Sequence, residues 1–226
     1  MKRKFMWITA FIPLLIFLGF YSSLPEQIVL NYDINGQASR FGSKNNIIFI
    51  GVITIIITAL SELYICFAGK KSSDDRKKVA NKTNKSIFQT VIITLNIFCS
   101  FMAVIMCIWG IKSISSIKSE SFLNTLIVFG IGIFFIISGN IMPKVKRNSA
   151  FGVRLSWTMK NDNVWAKSNH FGGYVVVVSG IALIFGGLFL PGMCKIYQLL
   201  IVTAVSTVII IIKSYKIYKE EIKNEN

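Results

Sequence analysis

Six apolar stretches follow one another along this chain, separated by polar connections. They occupy residues 5–21, 47–68, 87–111, 122–142, 171–190 and 196–212. Each is close to the ~20 residues that a helix needs to cross a bilayer. Within these stretches Glu62 is the only charged residue. The pattern predicts an all-α polytopic membrane protein with six transmembrane helices, which places both termini on one side of the membrane.

The composition excludes a soluble globular domain. Hydrophobic residues make up 53% of the 226 residues and charged residues only 15%, whereas about a quarter of the residues in a soluble domain are charged. The first stretch has a basic start like that of a signal peptide, but no small-residue cleavage site follows it. We therefore predict that it is retained as the first span.

The distribution of lysine and arginine predicts the orientation. Of the 25 basic residues, 20 lie in the N-terminal segment, residues 69–86, residues 143–170 and the tail 213–226. Because basic residues favour the cytoplasmic side, both termini are predicted to be cytoplasmic. The net charge of +15 indicates contact with anionic lipid headgroups. No nucleic-acid-binding motif accompanies the charge, so nucleic acid is not an expected partner.

The spans group into three regions. These are residues 1–68 with an external loop at 22–46, residues 69–121 with a short external loop, and residues 122–226 with a cytoplasmic loop at 143–170. The polar composition of residues 69–86 predicts a mobile connection. In the first external loop, a strand-like run leads into the turn-forming sequence from Asp33 to Gly36. We predict a short hairpin-like excursion there, large enough to bind a ligand.

Glu62 is the candidate functional residue inside a span. It continues a polar stripe of Gly51, Thr54 and Thr58, which are spaced to share one helix face. An ionisable residue inside a span is costly and often functional. Two interpretations remain open. Glu62 has a structural role, reaching the headgroups or accepting a hydrogen bond from Asn96, or it contacts a proton, an ion or a ligand.

The polar segment from 148 to 173 contains the only histidine, His170, together with Arg154, Trp157 and Trp165. The two tryptophans are eight residues apart and would share a face if the segment were helical. Tryptophan and arginine favour the boundary between water and headgroups. The residues predict either a structured segment at the membrane surface or an ordinary interfacial loop.

Catalytic and metal-binding patterns are absent from the sequence. There is no HExxH motif, phosphate-binding loop or glycine-rich dinucleotide turn. One histidine and four scattered cysteines do not form a metal-ligand pattern. We therefore expect no enzymatic activity, metal or cofactor.

At the end of the fourth span, Asn140 is placed to hydrogen-bond across the helix bundle.

The C-terminal half resembles the SdpI family of membrane immunity proteins. The resemblance is carried by Gly139-Asn140, Asn148, Gly152, Arg154, Trp157-Thr158, Asn161, Trp165, Lys167, Asn169 and Gly173. Ser168 replaces a threonine of the family pattern. The first external loop resembles a short domain of unknown function that precedes SdpI in many relatives. Leu24-Pro25, Asp33, Gly36, Phe41 and Lys44 carry this second resemblance.

The resemblance implies a bacterial plasma-membrane protein that protects its cell against a membrane-active toxin peptide. In the mechanism that we expect, the toxin binds at the outer face or between spans. In the best-known relative the same protein also holds a repressor at the membrane when toxin is present, so a cytoplasmic repressor is a candidate partner. The alternative is a small transporter or channel that uses Glu62. No internal repeat is visible in the sequence, which makes a transporter built from inverted halves less favoured.

Overall fold

The computed structural model of the protein describes residues 1–32, 38–70, 75–111, 117–148 and 150–225. Side chains are described at every position except residues 29–39, 68–81, 109, 111–123, 149 and 224–226. In chain order the elements are α1 (Lys2–Phe20), β1 (Gln27–Tyr32), β2 (Ala38–Ser43), α2 (Asn45–Lys70), α3 (Asp75–Ile111), α4 (Ile117–Ile141), α5 (Asp162–Phe189) and α6 (Cys194–Glu225). Short 3-10 turns follow α1 and α4.

The predicted number of spans and the helical class are confirmed. Among the described residues, six helices are long and apolar enough to cross a membrane. Many large apolar side chains on these helices are exposed, including Phe185 and Ile201. Such exposure is expected when hydrocarbon rather than water surrounds the helices.

The helices fall into two compact units, and the first comprises residues 1–67, 89–127 and 190–194. Its apolar core lies where the end of α1, the start of α2 and the later part of α3 meet the β-strands. Phe17 of α1, Ile28 of β1, Ile47 of α2 and Cys107 of α3 are all buried in this cluster. The β-hairpin is thereby fixed to three helices by apolar packing.

The strands β1 and β2 pair antiparallel, with Gln27 opposite Ser43 and Val29 opposite Phe41. The register shifts between Val29 and Tyr32, as it does at a β-bulge. The predicted hairpin is therefore confirmed in its strands. The predicted turn from Asp33 to Gly36 lies outside the described residues.

The polar stripe of α2 faces the interior of the first unit. Thr54, Thr58 and Glu62 are each at most 7% exposed. Thr54 Oγ1 donates to the carbonyls of Ala10 and Gly51, at 3.1 and 2.8 Å. Because lipid cannot hydrogen-bond to polar groups, burying this stripe between helices is more favourable than exposing it.

The second unit comprises residues 68–88, 128–189 and 195–226. Its helices α4 and α5 approach closely through glycines. A Cβ at Gly139 would lie 2.6 Å from the Gly173 carbonyl, and one at Gly173 would lie 2.6 Å from the Gly139 carbonyl. Gly132 and Gly180 lie seven residues away on each helix and make a second close approach. Such small residues allow the backbone-to-backbone packing that associates helices in lipid.

The structure corrects one prediction about the connections. The segment predicted as a mobile loop is helical from Asp75 onward, because α3 continues through it. A helix already nucleated in the membrane gains one hydrogen bond for each added residue, so lysine, arginine and alanine extend it readily. The charged tail continues α6 to Glu225, as predicted.

Candidate functional site

The candidate site is the polar loop, which we define as residues 145–161 between α4 and α5. Pro143 in the turn Met142–Lys144 stops α4, because proline has no N–H to continue a helix. The loop has no helix or strand of its own up to Asp162. Its backbone groups therefore need partners from side chains.

Asn148 supplies several of these partners. Its Oδ1 accepts the N–H groups of Ala150 and Phe151, at 2.7 and 2.9 Å. Its Nδ2 donates to the carbonyls of Lys146 and Phe151, at 2.8 and 3.1 Å. Asparagine is suited to this position because a short amide offers both an acceptor and two donors to nearby backbone. Asn148 therefore closes the first turn of the loop.

Gly152 and Asn169 bring the loop onto α5. Gly152 has φ +120°, and a Cβ there would overlap Asn169 Oδ1 and approach the Trp165 ring to 2.9 Å. Only glycine adopts such a backbone without strain. The fully buried Asn169 accepts the N–H of Val153 at 3.0 Å and donates to the Trp165 carbonyl at 2.9 Å. Gly152, Trp165 and Asn169, which all belong to the pattern that resembles the SdpI family, therefore contact one another.

Thr158 fixes the second half of the loop. Its buried hydroxyl lies 2.6 Å from the Val153 carbonyl and accepts the N–H of Leu155 at 3.0 Å. The hydroxyl can serve as donor and acceptor at once. Thr158 therefore ties together the backbone on both sides of Arg154.

Trp165 is the largest buried side chain of this region, at 1% exposure. Its Nε1 donates to the Val145 carbonyl at 2.9 Å, so the indole spans from α5 to the start of the loop. The helix that carries it is capped by Asn161, whose Oδ1 accepts the N–H of Asn163 at 2.7 Å. Asp162 in the first turn also pairs with Arg147 at 2.8 Å, and an acidic residue there favours the helix dipole.

Two other helices of the second unit hold the loop from outside. Trp157 Nε1 donates to Ser214 Oγ of α6 at 3.1 Å, and its ring packs edge-on against Tyr215. Asn84 of α3 exchanges two hydrogen bonds with the backbone of Lys146, at 2.9 and 3.0 Å. Because Asn84 lies in the segment predicted as mobile, its role was missed by the sequence analysis.

The structure distinguishes the fold-organising residues from the exposed ones. Asn148, Gly152, Thr158, Trp165 and Asn169 all stabilise the loop. Arg154 is exposed, and no acidic side chain in the described part of the chain pairs with it. The two tryptophans were expected to share a face only if the whole segment were helical. This condition is not met, because Trp157 lies in the turn before α5 begins.

Asn140 does not act as predicted. Its Nδ2 donates at 2.9 Å to the carbonyl of Ile136, in the same helix, rather than across the bundle. The side chain is exposed. The close approach of α4 to α5 at Gly139 is carried by backbone contact, so a polar bridge between these helices is not needed there.

Lys44 joins the end of β2 to the beginning of β1 in the first unit. Its Nζ lies 2.9 Å from Glu26 Oε1 and 4.5 Å from the centre of the Tyr21 ring. The hydrogen bond with Glu26 raises the pKa of Lys44 above its ordinary value. Pro25 precedes this pair in the link to β1. Asp33 and Gly36, the other two predicted residues of this loop, lie outside the described residues.

Glu62 is paired with Arg3 rather than with Asn96. Arg3 Nε lies 2.8 Å from Glu62 Oε1, and the guanidinium end of the pair is the exposed one. The fully buried Asn96 instead donates to the Met6 carbonyl and to the hydroxyls of Thr9 and Thr58, at 3.1–3.4 Å. The ion pair favours the structural interpretation of Glu62, since it joins α1 to α2.

The part of the chain that the structure describes holds no group of three or more histidine, cysteine or carboxylate side chains that could bind a metal ion. In and beside the polar loop, the polar side chains that stabilise it are mainly those of asparagine, threonine and tryptophan, and they hydrogen-bond to the backbone.

One family model covers the polar loop, α5 and α6 up to Ser214. Residues 144–214 match the SdpI/YfhL protein family. Residues 8–57 match a domain of unknown function, DUF1648. The curated protein "Immunity protein SdpI" from Bacillus subtilis (strain 168) is 27% identical over 200 residues, which cover 88% of this chain and 87% of that protein. Both resemblances predicted from the sequence are confirmed. No solved structure matches the chain.

The SdpI/YfhL match begins at the loop and ends at Ser214, the residue that Trp157 contacts. It therefore includes the loop and both of its contacts with α5 and α6. The DUF1648 match includes the hairpin and Lys44 but ends before Glu62. The two matched segments therefore contain the β-hairpin and the polar loop.

Proposed function

We propose that this protein is an immunity protein of the bacterial plasma membrane that protects its cell against an SDP-type toxin peptide. The observation that carries the proposal is its similarity to Immunity protein SdpI along 88% of the chain. That similarity extends over the hairpin and the polar loop, and both are folded and firmly anchored. A membrane immunity function needs a toxin-contacting surface, and the hairpin supplies one.

The distribution of basic residues supports an orientation with both termini in the cytoplasm. In this orientation the β-hairpin of the first unit faces outward. The polar loop, with Arg147, Arg154 and Lys160, then faces the cell interior. Six helices are an even number, which is consistent with termini on one side.

In the proposed mechanism the toxin peptide contacts the hairpin. Phe41 of β2 is 57% exposed, so its ring is available to a ligand. The strand that carries it is fixed by the Lys44–Glu26 pair and by the buried Ile28. An amphipathic peptide would place its apolar face on Phe41, and capture there would prevent the toxin from disrupting the bilayer.

The polar loop would relay the presence of toxin by holding a cytoplasmic repressor. Its inner side chains are committed to the fold, so the exposed residues are the ones available to a partner. Arg154 projects between Val153 and Leu155, whose backbone Thr158 fixes. A guanidinium held on a fixed backbone is well suited to a bidentate contact with an acidic residue of a partner.

The test is protection of a toxin-sensitive host against a purified SDP-type peptide, with membrane insertion of the protein verified. We expect the wild type to restore survival, Phe41→Ala to lose most of the protection and Arg154→Ala to retain it. Arg154→Ala should instead lose the repressor in a pull-down. Unchanged killing of cells that contain the inserted wild-type protein would contradict the immunity function for that toxin.

One observation favours a second candidate function, a small transporter or channel that uses Glu62. Glu62 Oε2 and Asn96 Oδ1 are buried and have no hydrogen-bond partner among the described residues. A buried acceptor without a partner inside a membrane-spanning segment would attract a proton or a cation. Ion flux through proteoliposomes that Glu62→Gln abolishes would support this function, and the absence of flux in the wild type would contradict it.

A further inference from the structure

An open groove of about 510 Å³ lies between α5 and α6 in the second unit. From α5 it is lined by Lys167, His170, Phe171 and Tyr174, and from α6 by Lys213 and Ile217. Its surface combines apolar and aromatic side chains with three basic ones. This combination is separate from the polar loop, whose side chains mostly contact backbone.

The charge of the groove is unbalanced. Lys167 is neutralised by Glu221 of α6, with 2.6 Å between Nζ and Oε2. Lys213 and His170 are exposed and have no acidic partner in the described part of the chain. Both residues line the same groove, and an ammonium and an imidazole can each donate a hydrogen bond to an anion. A group with negative charge therefore fits this end of the groove.

The other end of the groove continues into apolar surface. On α5, Tyr174, Val178, Ile181 and Phe185 follow at offsets of four, three and four residues, and each is at least 43% exposed. These spacings place them on one helix face. On α6, Val205 and Ile209 lie eight and four residues before Lys213 and are also exposed. Both helices thus present an apolar stripe that leads to the basic groups.

We propose that this groove binds an anionic phospholipid of the surrounding bilayer. The phosphate contacts Lys213 and His170, and an acyl chain lies on Phe171 and along the exposed stripe of α5. A lipid fits both ends of the groove, since its head is charged and its chain is apolar. A free phosphate ion would leave the apolar lining unused, and a zwitterionic lipid would leave the positive charge unbalanced.

The proposed site gives the second unit a contact with lipid where the loop, α5 and α6 come together. Lys167 and its partner Glu221 lie beside the groove. Trp157 holds α6 at Ser214, the residue after Lys213. A lipid bound here would therefore stabilise α6 against α5 and, through α6, the polar loop. The inference does not depend on the immunity function.

The test uses the intact protein in mild detergent, with lipid binding measured by native mass spectrometry and by thermal unfolding. We expect phosphatidylglycerol to bind and to raise the unfolding temperature, whereas phosphatidylcholine and inorganic phosphate leave it unchanged. Lys213→Gln should weaken phosphatidylglycerol binding about fivefold, the effect of removing one basic group near an anionic headgroup. Lys213→Gln with His170→Gln should weaken it further.

Lys216→Gln is the matched control, because Lys216 is exposed on the same helix, three residues away and outside the groove. It should bind phosphatidylglycerol as the wild type does. Equal losses for Lys213→Gln and Lys216→Gln would overturn the site, since they would indicate only a diffuse charge effect. Equal binding of phosphatidylcholine and phosphatidylglycerol, or stabilisation by inorganic phosphate alone, would overturn the choice of ligand. If Lys213→Gln does not fold, His170→Gln alone is compared with the wild type in the same measurement.

Discussion

The Oδ1 atom of Asn169 accepts the backbone N–H of Val153 at 3.0 Å, sixteen residues earlier in the chain. Both residues are buried, and Val153 belongs to neither helix nor strand. A buried N–H without a partner is costly, so this side chain decides where the polar loop can lie. The same amide donates to Trp165, which keeps its acceptor turned toward the loop.

We expect Asn169→Ala to destabilise the protein by about 1–3 kcal/mol, because it leaves the buried Val153 N–H unpaired. The measurement is thermal unfolding of the detergent-solubilised protein, followed by tryptophan fluorescence. Asn140→Ala is the control, since the exposed Asn140 contacts only its own helix. Equal unfolding temperatures for the two variants would show that Asn169 does not hold the loop.

Gly152→Ala should destabilise the protein by roughly 1–3 kcal/mol, the cost of a strained backbone at a positive φ, plus the overlap of the new methyl group with Asn169. Gly19→Ala is the opposite case. A Cβ at Gly19 has no neighbour within 4 Å, so alanine in α1 should stabilise by about 0.5–1 kcal/mol. Thermal unfolding measures both changes. A tolerated Gly152→Ala variant would mean that the positive φ is not required.

The Arg3–Glu62 pair should appear as a coupling in a double-mutant cycle between Arg3→Gln and Glu62→Gln. Its partly exposed geometry places the expected coupling at about 1–2 kcal/mol, between the values for surface and buried pairs. Lys4→Gln replaces Arg3→Gln in the control cycle, since Lys4 is an exposed neighbour without an acidic partner in the described residues. Additive effects of Arg3→Gln and Glu62→Gln would exclude a structural role for the pair.

The Lys44–Glu26 contact predicts a dependence on pH. Because the hydrogen bond raises the pKa of Lys44 above 10.5, its contribution to stability is complete below that pH and is lost as the pH rises through the higher folded-state value. The difference in unfolding temperature between wild type and Lys44→Met should therefore be constant from neutral pH to pH 10.5 and shrink above it. For Arg40→Met, at an exposed position of β2, the difference should not change with pH. The same profile for both variants would argue against the ion pair.

The sequence by itself determined the membrane class and the number of spans. In hydrocarbon, a run of about 20 apolar residues forms a helix whatever its neighbours are, because its backbone groups must bond within the segment. The residues at 24–44 and 139–173 were also sufficient to predict the two resemblances. The start of α5 was recognisable from Asn161-Asp162, a common capping sequence. It would have indicated that the segment is not helical at Trp157.

The tertiary structure alone decided which side chains meet. Arg3 and Asn96 are both suitable partners for Glu62 by type and by depth, and only the rotation of α1, α2 and α3 selects Arg3. Trp157 contacts Ser214, 57 residues away, at a distance along the chain that no local pattern reports. The depth of a residue in the membrane follows from the hydropathy of its own segment. The rotation of a helix and the partners of its side chains follow from packing between segments. Packing is a property of pairs of helices, so the sequence of one helix does not determine it.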